Sequence, residues 1–204
     1  MEWGELPSRE RIDRAIGALR EHNFEVFFFQ DADEAKAKVI SLIPEGVEIM
    51  NMTSMTLTAL GLDTEIMESG RYDSVKARLM GMDRASQERE MQMLGAAPTW
   101  AIGSIHAVTE TGSVMWASNT GSQLPAYAYG ATHVIWVVGA QKIVKDVDEG
   151  FRRLYEWCLP HERERALKAY GPGTTTHVNK ILILNNEVKK GRIQMVLINK
   201  ALGF

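Results

Sequence analysis

Apolar and polar positions follow one another along this chain in an order that predicts a layered α/β fold. Residues 8 to 22 place Ile12, Ile16 and Leu19 on one face behind Ser8, the pattern of an amphipathic helix with its cap. Residues 24 to 29 are too aromatic and β-prone for a surface helix and predict a strand. Asp31 with Glu34 forms a capping-box pattern that opens a second helix to about Leu42, and Pro44 and Gly46 end it. A short strand over 47 to 50 then runs through Asn51-Met52-Thr53-Ser54-Met55-Thr56 into a helical Leu57 to Leu60 closed by Gly61. Helices alternating with strands require crossover connections, and so a largely parallel sheet covered on both faces. The continuous β-branched run from His133 to Gly139 is the expected central strand.

Further patterns fill in the remainder. Residues 71 to 94 read as helical and carry Met80, Met82, Met91 and Met93, a methionine stripe expected to fill core, with a mobile cover or a subunit contact as the alternative. Apolar stretches on both sides of Thr109-Glu110-Thr111-Gly112-Ser113 predict a β-hairpin, with Gly112 supplying a positive φ. Val147, Phe151, Leu154 and Trp157 give an amphipathic helix over 146 to 159, which Pro160 should stop. After a charged helix and a Gly-Pro-Gly-Thr-Thr-Thr loop, residues 181 to 184 and 193 to 198 read as two strands of an antiparallel hairpin. The result is a single α/β domain over 1 to 204, a mostly parallel central sheet flanked by helices with an antiparallel hairpin near the C-terminus.

Composition narrows the function classes. A length of 204 residues with 45% hydrophobic content suits one filled core, and a net charge of −3 with dispersed basic residues offers no footprint for nucleic acid or a membrane surface. The acidic N-terminus and the lack of a long apolar run predict a cytoplasmic protein without a membrane span. Cys158 stands alone, too few thiols for an iron–sulfur cluster or a zinc site, and no His/carboxylate set has ligand spacing, so no metal and no motif-bound cofactor are expected. Cys158 itself reads as an inert buried thiol. Gly171-Pro172-Gly173 lacks the third glycine and following helix of a dinucleotide fingerprint. Symmetric soluble assemblies are commonly twofold, which makes a homodimer the default expectation.

Three polar clusters carry the candidate chemistry. Glu110 sits between apolar strands, where half-burial would raise its pKa and suit it to act as a base or carboxylate nucleophile, whereas a solvated turn glutamate would do nothing. Ser118 to Gln123, with Thr120, Gly121, Ser122 and Gln123, precedes a small-residue helix and could gather N–H groups and hydroxyls around an anion; its plainer reading is N-capping. Ser54 and Thr56 lie at a strand-to-helix loop, where ligands of open α/β sheets bind, and could also be simple caps. Asn179 and Lys180, with His177, are weaker candidates, and His106 reads as a packed, hydrogen-bonded histidine. On a regular strand His106 and Glu110 would lie roughly 13 Å apart, too far to touch.

The ordered motifs Ile105 to Ser113, Thr120 to Pro125, Val137 to Val144, Val178-Asn179-Lys180 and Leu202-Gly203-Phe204, together with Ser54-Met55-Thr56-Leu57 and Leu60-Gly61-Leu62, resemble the LUD-domain family of lactate-utilisation proteins. The resemblance implies a fold similar to ribose-phosphate isomerases, glucosamine-phosphate deaminases and CoA transferases. In that superfold a Ser/Thr/Gly loop holds an anionic group and, in the transferases, a strand-turn glutamate followed by glycine attacks a thioester. Glu110 with Gly112 occupies the analogous place. The resemblance further implies a role in oxidising L-lactate to pyruvate beside iron–sulfur partner subunits, with this chain as the short, cluster-free member. The alternative is a stand-alone enzyme acting on an acyl-CoA or sugar phosphate. Some relatives carry a lysine before the Ser-x-Thr loop; here Asn51-Met52-Thr53 stands there, which removes that cation.

Overall fold

The computed structural model describes residues 3–204. In chain order the elements are α1 (Arg9–Glu21), β1 (Glu25–Phe29), α2 (Ala32–Leu42), β2 (Glu48–Asn51), α3 (Met55–Ala59), α4 (Leu62–Glu68), β3 (Asp73–Ser74), α5 (Val75–Met80), α6 (Arg84–Ala96), β4 (Trp100–Gly103), β5 (Ala107–Thr109), β6 (Val114–Ser118), β7 (His133–Gly139), β8 (Ile143–Val144), α7 (Val147–Arg153), α8 (Leu159–Tyr170), β9 (Lys180–Leu184) and β10 (Ile193–Ile198). Ser8 caps α1 and Asp31 caps α2, each side chain accepting backbone N–H groups of the first turn.

Six strands form a parallel sheet in the order β1-β10-β7-β4-β2-β3. A second, mixed sheet has the order β8-β5-β6-β9, with β5 and β6 as the expected hairpin. Period-two alternation assigns the core. On β7, Val134, Trp136 and Val138 face the space shared with α1 and the second sheet, while Ile135 and Val137 face α2, α3 and α4. Phe24, Trp116, Tyr127 and Trp136 form an aromatic cluster between the sheets, with Trp116 and Trp136 at 4.5 Å.

Three sequence expectations are corrected. β9 and β10 do not pair as a hairpin: β9 joins β6 in the second sheet, while β10 lies parallel between β1 and β7 in the first. Local spacing resembles a hairpin, yet β10 has apolar residues on both faces, which only a doubly covered central position can bury. Pro160 does not stop its helix. Residues 154 to 158 form a π turn, where the Leu159 N–H bonds to the Leu154 carbonyl, and Pro160 sits in the first turn of α8, where its missing N–H leaves no gap. The methionine stripe does not fill core: α5 and α6 break at Gly81, α6 buries no residue, and Met80 and Met93 are 73% and 59% exposed. Charged and polar residues all around α6 leave it without an apolar face. Among the described residues no helix is long and apolar enough to cross a membrane.

Candidate functional site

Parallel strands point their C-terminal ends to one edge, and the segments leaving β2, β4 and β7 there converge on a cleft of about 340 Å³. Its floor comes from Ser54 and Thr56 after β2, from Ser104 and His106 after β4, and from Lys142 after β7. Thr120 and Gln123 form one side, and Glu162 and Arg165 of α8, with residues 174 to 178, form the other. Arg165 is charged and anchored, with both Glu162 carboxylate oxygens at 2.7 Å.

Lys142 is the residue that reading the sequence for chemistry passed over. Its Nζ donates to Thr56 Oγ1 at 3.1 Å and to Ser104 Oγ at 3.0 Å, and its side chain is buried. Thr56 passes its own hydroxyl hydrogen to the Leu202 carbonyl, so the C-terminal tail and the strand-to-helix loop are tied at one point. Gly139 permits this crossing, because a Cβ there would come within 2.8 Å of both Leu202 N and Lys200 O. Among the described residues no carboxylate forms an ion pair with Lys142. Burial, and then the nearby Arg153 guanidinium, bring its pKa down to about 7.

Arg153 lies fully buried behind this wall. Nη1 donates to the His106 carbonyl at 2.5 Å and contacts Cys158 Sγ at 2.8 Å, while Nε and Nη2 have no hydrogen-bond partner among the described residues. Burial raises the Cys158 thiol pKa despite the pull of Arg153 and Lys142, which keeps it a thiol. His106 is the packed, hydrogen-bonded residue expected of it: Nδ1 accepts the Ala117 N–H at 3.2 Å, which places the ring hydrogen on Nε2. Burial, then the charges of Lys142 and Arg153, lower its pKa to about 3.

The structure brings Ser54, Thr56, Thr120 and Gln123 into this cleft and His177 to its rim. Ser54 also caps α3, and Thr56 is fixed by Lys142, so both hydroxyls are partly committed. Gly121, Ser122, Asn179 and Lys180 do not line it. Asn179 bonds Asn119 at 2.8 Å, and Lys180 donates to the Thr120 carbonyl, so this pair ties the loop after β6 to β9. The segment following Gln123 is a five-residue π turn rather than a helix with an anion-binding end.

Glu110 and Gly112 lie outside the cleft, on the α1 side of the hairpin. Glu110 accepts from Arg11 Nε at 2.5 Å and from Arg14 Nε at 2.8 Å. Burial alone would raise its pKa as expected from the sequence, but the hydrogen bonds and charges of the two arginines outweigh it and hold the carboxyl below its ordinary value. Gly112, at φ 87°, lets the turn approach α1 so closely that a Cβ would fall 2.8 Å from the Ala18 carbonyl. The only signal for these contacts in the sequence was the pair Arg11 and Arg14 on one side of α1, which nothing local connects to residue 110.

The LUD domain family model matches residues 12–203. Among solved structures, a DUF162 family protein from Deinococcus radiodurans aligns with a TM-score of 0.55 at 13% identity, covering 95% of this chain and 99% of that one. Identity that low shows a shared fold alone. No curated protein matches the sequence.

Proposed function

We propose that this chain, which belongs to the LUD-domain family, binds a small anionic metabolite over Lys142 and through that site takes part in the use of lactate. The observation that carries this reading is the buried Lys142 amine, held by two hydroxyls and opposed by no carboxylate among the described residues. With Arg153 behind it, the site holds two buried basic groups that no acid among the described residues pairs with, and a ligand carboxylate or phosphate would supply the missing negative charge. The hydroxyls of Ser54, Thr120 and Thr175 around the opening add uncharged donors suited to such a group.

The family name supplies the connection to lactate. Oxidation of lactate to pyruvate moves a pair of electrons, and a single cysteine cannot ligate an iron–sulfur cluster. In this reading the chain binds the metabolite or assembles with iron–sulfur partner subunits that carry the electrons.

Thermal unfolding against lactate, pyruvate, acyl-CoAs, sugar phosphates and nucleotides tests the proposal, with Lys142→Met run in parallel. A true ligand at a hundredfold its Kd adds about 2.7 kcal/mol to wild-type stability. The expected result is stabilisation by one acid class in wild type and none in the variant. Equal stabilisation of both proteins, or of neither by any compound, contradicts it.

A further inference from the structure

We propose that Lys142 also reacts: its amine condenses with the carbonyl carbon of an anionic carbonyl compound held in the cleft, a 2-oxo acid or a sugar phosphate. The inference rests on the anion-binding reading above and deepens it by naming the reacting group of the ligand. Three features of the geometry support it.

First, both hydrogen-bond partners of Nζ are hydroxyls, at 3.0 and 3.1 Å, and a hydroxyl does not require the amine to be charged as a carboxylate would. Second, buried Arg153 lies behind the same wall, with no acid partner among the described residues. A desolvated lysine beside a second cation is the arrangement that frees an amine to act as a nucleophile near neutral pH. Third, the Ala117 N–H fixes His106 as the Nε2–H tautomer, so this cleft residue is a neutral donor. It can support a developing oxyanion without adding a third positive charge.

The bond changes balance without any oxidant or reductant. The nitrogen lone pair adds to the carbonyl carbon, a C–N bond forms, and the carbonyl π electrons move to oxygen. A proton passes from nitrogen to that oxygen through the Ser104 hydroxyl. The remaining nitrogen proton passes to the same oxygen by the same route, the C–O bond breaks with its electron pair leaving on water, and the nitrogen lone pair closes a C=N bond to Lys142. The acid group of the substrate remains near the hydroxyl wall and Arg165.

Cyanoborohydride reduction of the full-length chain in the presence of pyruvate or, separately, glyceraldehyde phosphate tests the step, read by intact mass and peptide mapping. Thermal stabilisation by the same compounds is measured without reductant. The expected result is one adduct per chain on Lys142 with the probe whose acid group the cleft accepts, absent from Lys142→Arg and Lys142→Met. The unfolding transitions of both variants establish that they are folded. Stabilisation without an adduct on Lys142 overturns the condensation and leaves the binding proposal standing. Adducts scattered over surface lysines and unchanged in Lys142→Arg also overturn it. Neither stabilisation nor adduct with either probe overturns the condensation and counts against the binding reading for both acid classes.

Discussion

Lys142 Nζ and Thr56 Oγ1 lie 3.1 Å apart although 86 positions separate them in the chain. The contact joins the first turn of α3, which follows β2, to the turn after β7 and sets a basic group where an α/β sheet ordinarily receives ligands.

Lys142 makes stability depend on pH in a defined direction. Its amine titrates near 10.5 when unperturbed and at about 7 in the fold, so between those values the unfolded chain holds the extra proton. Unfolding free energy therefore rises with pH across that window. Denaturant titrations of wild type and Lys142→Met should show wild type gaining on the variant from pH 7 upward. A constant difference between the two would show that the amine titrates normally.

His106 acts on the acid side. It is neutral down to about pH 3 in the fold and takes up a proton near 6.5 when unperturbed, so its contribution is complete above 6.5 and is lost as pH falls toward 3. His106→Asn keeps an acceptor near the Ala117 N–H and removes the titration. The variant should lose less stability than wild type on acidification through that range, as read by thermal unfolding.

Glu110→Gln should weaken the docking of α1 on the hairpin. The carboxylate is 11% exposed, but Arg11 and Arg14 are more open to solvent, so a loss of about 1 to 2 kcal/mol is expected. Because the wild-type carboxyl has a lowered pKa, its contribution is present above the unfolded value and fades as pH falls through the folded one. Ligand-induced stabilisation should be unaffected, since residue 110 lies outside the cleft. A loss of ligand response in a folded Glu110→Gln would return this residue to the site.

Gly103→Ala tests the back of the cleft. A Cβ at this position would come 1.9 Å from Tyr127 Oη, and Tyr127 lines the cleft from within the aromatic cluster. Overpacking of this kind costs about 1 to 3 kcal/mol. The variant should unfold at lower temperature and bind ligand more weakly, whereas an unchanged affinity would show that the tyrosine yields without moving the site.

The order of helices and strands, the caps at Ser8 and Asp31 and the central position of β7 were legible because each rests on local periodicity or a short-range hydrogen bond. The partners of β9 and β10 were not, since two short apolar strands in succession look alike whether they pair with each other or with different sheets. The same limit governed the site. Ser54, Thr56, Thr120 and Gln123 were visible as clusters of polar residues at loop positions, and they do meet. Lys142 was hidden because an isolated lysine in a sequence reads as solvated, and its hydroxyl partners Thr56 and Ser104 come from α3 and from the segment after β4, both far from it along the chain. Glu110 was conspicuous for its apolar neighbours along the chain, yet the groups that set its charge come from α1, about a hundred positions away.

The most direct test of the central claim is calorimetric titration of the ligand class found by thermal unfolding, performed at about pH 8 in two buffers of different ionisation enthalpy. Free Lys142, with a pKa of about 7, is then mostly neutral, and a bound anion favours its protonated form. Binding over Lys142 predicts net proton uptake in wild type that disappears, with most of the affinity, in Lys142→Met. Binding with the same affinity and no proton uptake in either protein would place the ligand elsewhere and contradict the account.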